Sequence, residues 1–362
     1  MGSGSLMALV AKVQSFRMRS PSHGLQQAGV STQSISQGGA APSADDQAHV
    51  GSFHAELAQR VAQLQLQGGS AHLNWLLDAC ACTLSTHASF ASTLMPSSSA
   101  AAPALHERAD EVLSMLDACT SLKQVADDVD RQLDLLQAAL LSARQGCYKM
   151  GARRLAAARR LQTCLHGLEA MISSSSPQYR PKAEAQTALL LAAKRVATSH
   201  HGAAPPLSEA LDGTLLISLL MLASAFATFA APSIRASSTS AIHSACKRIA
   251  AYTSGKGGSS NTSATWAAPL RQLQRDLKQE HMGAAFLELQ GLHRSASSIH
   301  TTLSSGHQLN EDAGELKQRV DSLRKRSQDA QACVATLRSQ LAALFETLLA
   351  LRLSLLEVRQ YC

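Results

Sequence analysis

Residues 316–358 read LKQRVDSLRKRSQDAQACVATLRSQLAALFETLLALRLSLLEV, with Leu316, Val320, Leu323, Ser327, Ala330, Val334, Leu337, Leu341, Leu344, Leu348, Leu351, Leu355 and Val358 at alternating steps of four and three. Apolar or small side chains at that spacing line one side of an α-helix. A straight helix drifts by about 20° per heptad against such a repeat, so the seam stays aligned only by packing on another helix, in this chain or in another. The stretch specifies packing and carries no chemistry of its own.

A second seam runs through Leu105, Ala109, Val112, Leu116, Cys119, Leu122, Ala126, Val129, Leu133, Leu136 and Leu140. Asp110, Glu111, Asp117, Asp127, Asp128, Asp130 and Asp134 stand between these positions and mark the expected wet face. Two long seams in one chain let each serve as the other's partner, so the packing is expected to be intramolecular and no homo-oligomer is required.

Composition agrees with helices. The chain has 362 residues, 45% of them hydrophobic and only 4% aromatic. Ala, Leu, Gln and Ser suit helices better than sheets, which favour β-branched and aromatic side chains. The expected fold class is all-α: an elongated multi-helix bundle with long antiparallel helices and a C-terminal heptad-like helix. The formal charge of +7 raises the question of an anionic partner. No aromatic residues interleave with the basic ones as single-strand binding favours, so nucleic acid is not the expected partner.

Residues 1–48, rich in Ser, Gln, Gly and Ala, are expected to form a disordered basic and polar tail ahead of a single helical domain at 49–362. Residues 1–44 hold Lys12, Arg17 and Arg19 and no acid, which also resembles a plastid or other organelle transit peptide. Helices are expected over His54 to Gln67, His72 to Met95, Leu105 to about 143, the Arg153 segment up to Ser173, Lys182 to Ser199, 213–231, Pro269 to about Ser304, and from near Glu311 onward. Linkers are expected near 96–104, 173–181, 200–207 and 253–265, where Pro, Gly and Ser collect.

Residues 213–231 carry no charge from Thr214 to Ala230. About 19 residues at ~1.5 Å rise just span a hydrocarbon core of roughly 30 Å, so the segment is either a bundle helix surrounded on all sides, wrapped by the 105–143 and 311–358 helices, or a transmembrane span. Its Ala/Ser/Thr-rich second half and the absence of interfacial Trp or Tyr favour the buried reading. That choice governs localisation: cytoplasmic is expected, with the endoplasmic reticulum or another membrane as the alternative.

No catalytic, cofactor-binding or metal-ligating residue can be named. The histidines His72, His87, His106, His166, His243, His281, His293 and His300 are scattered, and no zinc-protease, nucleophile-elbow or dinucleotide pattern occurs. Cys80-Ala81-Cys82 lacks zinc-knuckle spacing, and Cys119 sits on a seam, so the cysteines read as buried free thiols of a reducing compartment. Arg153-Arg154 and Arg159-Arg160 are expected to meet the acids of the preceding helix and to cover apolar surface with their stems. A non-enzymatic protein with a protein partner and no cofactor is the expectation.

Three stretches carry a family resemblance: Ala109 to Thr120 (ADEVLSMLDACT), Gln132 to Leu140 (QLDLLQAAL) and Leu344 to Leu356 (LFETLLALRLSLL). Together with Arg17-Met18-Arg19-Ser20-Pro21-Ser22, they resemble the plant BYPASS-related proteins, a family defined as a domain of unknown function. Arg352-Leu353-Ser354-Leu355-Leu356 matches that family's Arg-Val-Ser-Leu-Leu ending with one conservative change. Departures include the Arg-rich 153–160 segment where the family is Lys-rich. The resemblance implies a helical adaptor or regulatory protein of root and shoot development, and it transfers no functional residue.

Overall fold

In a computed structural model, the described residues are 44–64, 73–93, 108–146, 151–173, 183–198, 206–229, 247, 265–279, 284–305 and 313–357. They form helices and no strand. In chain order these are α1 Ala44–Gln63, α2 Leu73–Thr93, α3 Ala109–Gly146, α4 Ala152–Ser173, α5 Ala183–Thr198, α6 Pro206–Phe229, α7 Ala267–Gln279, α8 Ala284–Ser304 and α9 Ala313–Glu357. The helices belong to one compact unit, Ser43–Cys362.

Two boundaries differ from expectation. α1 begins at Ala44, taking in residues assigned above to the tail, because Ala and Gln suit a helix as well as a tail. α6 begins at Pro206, inside the expected 200–207 linker: a proline fits the first turn, where its missing N–H has no intrahelical partner to lose. The expected tail up to residue 43 lies outside the described residues, as do most of the four linkers.

The two seams pair. Every seam residue of α9 that the structure describes is buried except Ala330, which is half-buried against the core. α9 packs most extensively on α3, then on α2 and α8. Polar contacts along one edge of the α3–α9 pair show its direction. Arg338 meets Asp127 at 2.5 Å and also Asp130, Gln331 donates to Asp134 and Asp130, and Arg144 meets Asp321 at 3.1 Å. As the α3 number rises the α9 number falls, so the helices are antiparallel. Continued at the same register, Ala109–Thr120 lies opposite residues 345–356.

α6 was expected to be wrapped by the 105–143 and 311–358 helices. The 105–143 helix, α3, does pack on it, but α9 is not among its principal neighbours, which besides α3 are α1, α2, α5, α7 and α8. The reason is geometric: α9 has one apolar seam, already committed to α3 and α2, whereas α6 is apolar around its whole circumference. Every residue from Ala210 to Phe229 is buried. Four hydroxyls within it are satisfied locally. Thr214, Ser218, Ser224 and Thr228 donate to the carbonyls of Ala210, Thr214, Leu220 and Ser224 at 2.7–2.9 Å.

Gly213 lets α6 lie close to its neighbours. A Cβ there would stand 3.0 Å from Leu57 Cδ2 and 3.1 Å from Trp266 Cε2, side chains that are both fully buried. Gly213→Leu is therefore expected to lower the urea midpoint by the equivalent of ~1–3 kcal/mol through overpacking. An unchanged midpoint would mean that the 57/266 contact yields freely.

Candidate functional site

The histidines do not converge. Of those named from sequence, His72, His106, His243 and His281 lie outside the described residues, while His166 is exposed and His293 and His300 are half-buried. His87 is buried, with Nε2 2.7 Å from the Ser218 hydroxyl. Ser218 already gives its proton to the Thr214 carbonyl, so its oxygen accepts and His87 donates from Nε2. A ring holding its proton on that nitrogen orders the core and does not activate the serine as a base would. His54 is buried beside Phe53 and Trp266, its ring edge-on to the indole at 6.5 Å.

Burial holds both His54 and His87 at a pKa of about 4, against 6.5 for the free side chain. A base whose folded pKa is depressed binds fewer protons folded than unfolded. The stability it supports is complete above pH 6.5 and declines as pH falls toward 4, by roughly 3 kcal/mol per histidine at the limit. Glu111 and Asp128 act in the opposite sense, because burial raises both carboxyls. Urea unfolding at pH 7 and pH 5 is expected to show a clear drop in midpoint at pH 5; equal midpoints would refute buried neutral rings.

The thiols are separated by the helix turn. Cys80 is buried with Sγ 3.7 Å from Met221 Sδ, and burial pushes its pKa to about 12. Cys82 is half-buried near Arg60 and pushed to about 11. Cys119 is buried on the α3 seam, its pKa raised first by burial and then by Cys80. All five described cysteines are free, and the described residues hold no cluster of His, Cys, Asp and Glu fit for a metal.

The arginine doublets and the acidic face need correction. Arg154 is buried and donates to the carbonyls of Thr302 and Leu303, both at 2.8 Å, satisfying orphan acceptors in the last turn of α8. Arg160 donates to the Ser142 hydroxyl, and Arg153 and Arg159 are exposed. The acids expected to engage the doublets are otherwise placed: Asp127 and Asp130 are half-buried against Arg338, and Glu111 and Asp128 are buried. α3 has helices on several sides, so its wet face is narrower than seven acids implied.

The two best-formed recesses among the described residues each have about 10 Å³ of free volume, room for a single water at most. Small-molecule sites ordinarily enclose roughly 300–1,000 Å³.

What remains is a surface. From Ser339 to Leu356 the fully buried side chains are Leu341, Leu344, Leu348, Leu351 and Leu355. Beside them runs a second stripe, missed in the sequence reading because only the first seam was followed: Ala342, Phe345, Leu349, Leu353 and Leu356. Leu349 is 39% and Leu353 51% exposed, and Phe345 and Leu356 are half-buried against the core. The same face earlier in α9 carries Asp321, Lys325, Gln328 and Gln331. One helix face thus changes from polar to apolar halfway along its length. Glu346 and Arg352 flank the stripe with no ion-pair partner among the described residues, and Arg352 Nε is shielded without a hydrogen-bond partner.

Two described helices are long and apolar enough to cross a bilayer: Leu207–Phe229, buried in protein from Ala210 onward, and Ala313–Glu357, by virtue of this apolar half. Comparison with protein-family models, with curated proteins and with solved structures returns no match.

Proposed function

We propose that this chain is a non-enzymatic helical adaptor that works through protein contact, with the apolar stripe 342–356 of α9 as its docking surface. The observation that carries the reading is that stripe: Leu349 and Leu353 exposed, with half-buried Ala342, Phe345 and Leu356 beside them, on a bundle whose two main seams already satisfy each other. The lack of a ligand-sized recess among the described residues supports it. So do free thiols, which fit the cytoplasm.

The setting in plant root and shoot development rests on the resemblance to BYPASS-related proteins. Of the segments that carry that resemblance, 109–120, 132–140 and 344–356 lie on α3 and α9, with the first and last set opposite each other by the register, while Arg17–Ser22 lies outside the described residues. Their likeness is therefore one of a packed helix pair.

The reading is tested by cross-linking in plant cells of the tagged full chain and of Leu349→Asp. Residue-level cross-links from 342–356 to another polypeptide are expected for the parent chain and lost in the variant; identical patterns would sink the adaptor. Carbonate extraction addresses the transmembrane alternative at 213–231. A helix sheathed by six others presents no side to lipid in this fold, so release into the supernatant is expected, and retention in the pellet would favour the span.

A further inference from the structure

We propose that the outer groove between α8 and the first half of α9 binds a ligand carrying two neighbouring phosphate groups. The site lies on the half of α9 away from the apolar stripe, so it goes beyond the adaptor reading and does not depend on it. Side-chain contacts fix its register. Arg319 of α9 donates to the Ser298 hydroxyl of α8 at 2.5 Å, and Arg326 lies 3.4 Å from the Ser295 hydroxyl, so the two helices run antiparallel. Gly291 leaves room for the second of these guanidiniums: a Cβ there would stand 3.2 Å from Arg326 Nη2. Arg294 is exposed on α8, one turn from Gly291 and one turn from Ser298. Three guanidiniums therefore border one strip of surface, the two from α9 rooted about 10 Å apart at ~1.5 Å per residue.

The strip is polar without being acidic. Ser295 gives its proton to the Gly291 carbonyl at 2.9 Å, while the Ser298 proton has no acceptor among the described residues. None of the three arginines has an ion-pair partner among the described residues. Asp321, the acid between Arg319 and Arg326 in sequence, turns the other way to Arg144, and Glu315 and Asp329 stand beyond the two α9 arginines. The surrounding end of the bundle, residues 131–146, 151–173, 288–305 and 313–331, holds twelve Lys and Arg against six Asp and Glu, so its field also favours an anion. Arginine forks match phosphate oxygens in pairs, and the Ser298 O–H adds a donor. A phosphate monoester carries about −1.5 to −2 at neutral pH, so one leaves part of the cluster uncompensated and two match three guanidiniums with the adjacent Lys325. Apart from His293 and His300, residues 288–305 and 313–331 contain no aromatic side chain on which a base could stack, so the phosphate and not a nucleobase is what the groove recognises.

The test is calorimetric titration of the purified full chain with inorganic pyrophosphate at constant ionic strength, with circular dichroism melts to confirm that every variant folds. Pyrophosphate is expected to bind with sub-millimolar affinity, about tenfold or more tighter than inorganic phosphate, and to raise the melting midpoint because it binds the folded chain. Arg319→Gln is expected to weaken binding by about tenfold, the loss of a charge-assisted hydrogen bond. Arg294→Gln removes a side chain with no hydrogen bond or ion pair among the described residues, so it tests the site without disturbing the α8–α9 contact, and a loss of about tenfold is expected again. Arg159→Gln takes an equal charge from the exposed face of α4 and is expected to stay within about twofold of the parent, as a distant screened charge should.

Vesicles separate the two sources of such a ligand. Pelleting with phosphatidylcholine vesicles that contain phosphatidylinositol bisphosphate, reversed by pyrophosphate, identifies a lipid headgroup; titration without pelleting identifies a soluble phosphate ester, and either result supports the site. No heat and no shift of the melt at millimolar pyrophosphate overturns the proposal. So does an Arg159→Gln variant weakened as much as Arg294→Gln, which would mean that diffuse charge and not the groove holds the anion. A short DNA duplex that binds more tightly than pyrophosphate and is lost in Arg294→Gln would make nucleic acid the ligand and the proposal wrong.

Discussion

Leu341→Glu is expected to leave the chain unable to hold its bundle. Leu341 is 1% exposed and occupies the middle of the apolar half of α9, on the seam that packs against α3 and α2. The substitution removes the leucine's burial and cavity-filling, worth ~2–5 kcal/mol by itself, and drives a carboxylate into an apolar seam. Against a total stability of ~5–15 kcal/mol for a domain, the sum is ruinous. The measurement is a circular dichroism melt with Leu349→Asp as the control. Leu349 stands eight residues further on the same helix, outside the seam, and its replacement is expected to change stability by no more than ~0.5 kcal/mol. Equal melts for the two variants would show that the seam does not organise the core.

The second large effect is expected at one end of the bundle, where the Arg108 guanidinium meets Asp212 at 2.6 Å with side-chain exposures of 6% and 1%. The charges touch without a straight hydrogen bond between them, and they join the start of α3 to α6. Removing one partner withdraws the opposite charge from the other in a place water does not reach, at a cost of ~3–5 kcal/mol. Arg108→Ala is expected to be the worse of the two single changes. Glu111 is buried nearby, its carboxyl pushed up chiefly by burial and held down in part by Arg108 and Arg195, so losing Arg108 withdraws one of its restraints as well. Replacing both partners together, as in R108M/D212L, is expected to recover most of the loss, because two apolar side chains of similar volume need no desolvation. Urea midpoints of the three variants decide it; a double variant as weak as the worse single would show that the pair orders α3 and α6 beyond its own electrostatics.

Legibility differed by element. The α9 seam could be read almost residue by residue because its period belongs to one helix and needs no knowledge of the partner; Ala330, the exception, is a small side chain at the seam's weakest step. α3 was readable along Val112, Leu116, Cys119 and Leu122, yet its acids were not, since Glu111 and Asp128 differ from Asp110 and Asp134 only in which neighbouring helix covers them. The doublet arginines misled for the same reason. Arg154 meets carbonyls at the end of α8, a helix more than a hundred residues away in sequence. The apolar stripe was present in the letters as Ala342, Phe345, Leu349, Leu353 and Leu356, but an apolar residue beside a seam is indistinguishable from a broad core face until the neighbours are in place.

The amino-acid sequence by itself determined that the chain is helical, where its long helices run, which residues form the α3 and α9 seams, and that α6 has no wet side. These are consequences of local periodicity and composition, which act within a single helix. Only the tertiary structure decided that α9 lies on α3 and α2 rather than around α6, that Arg108 and Asp212 neutralise each other, and that Leu349 and Leu353 of α9 are left exposed. Those outcomes depend on which faces win a limited number of neighbours, and that competition is settled by contacts between residues far apart in the chain.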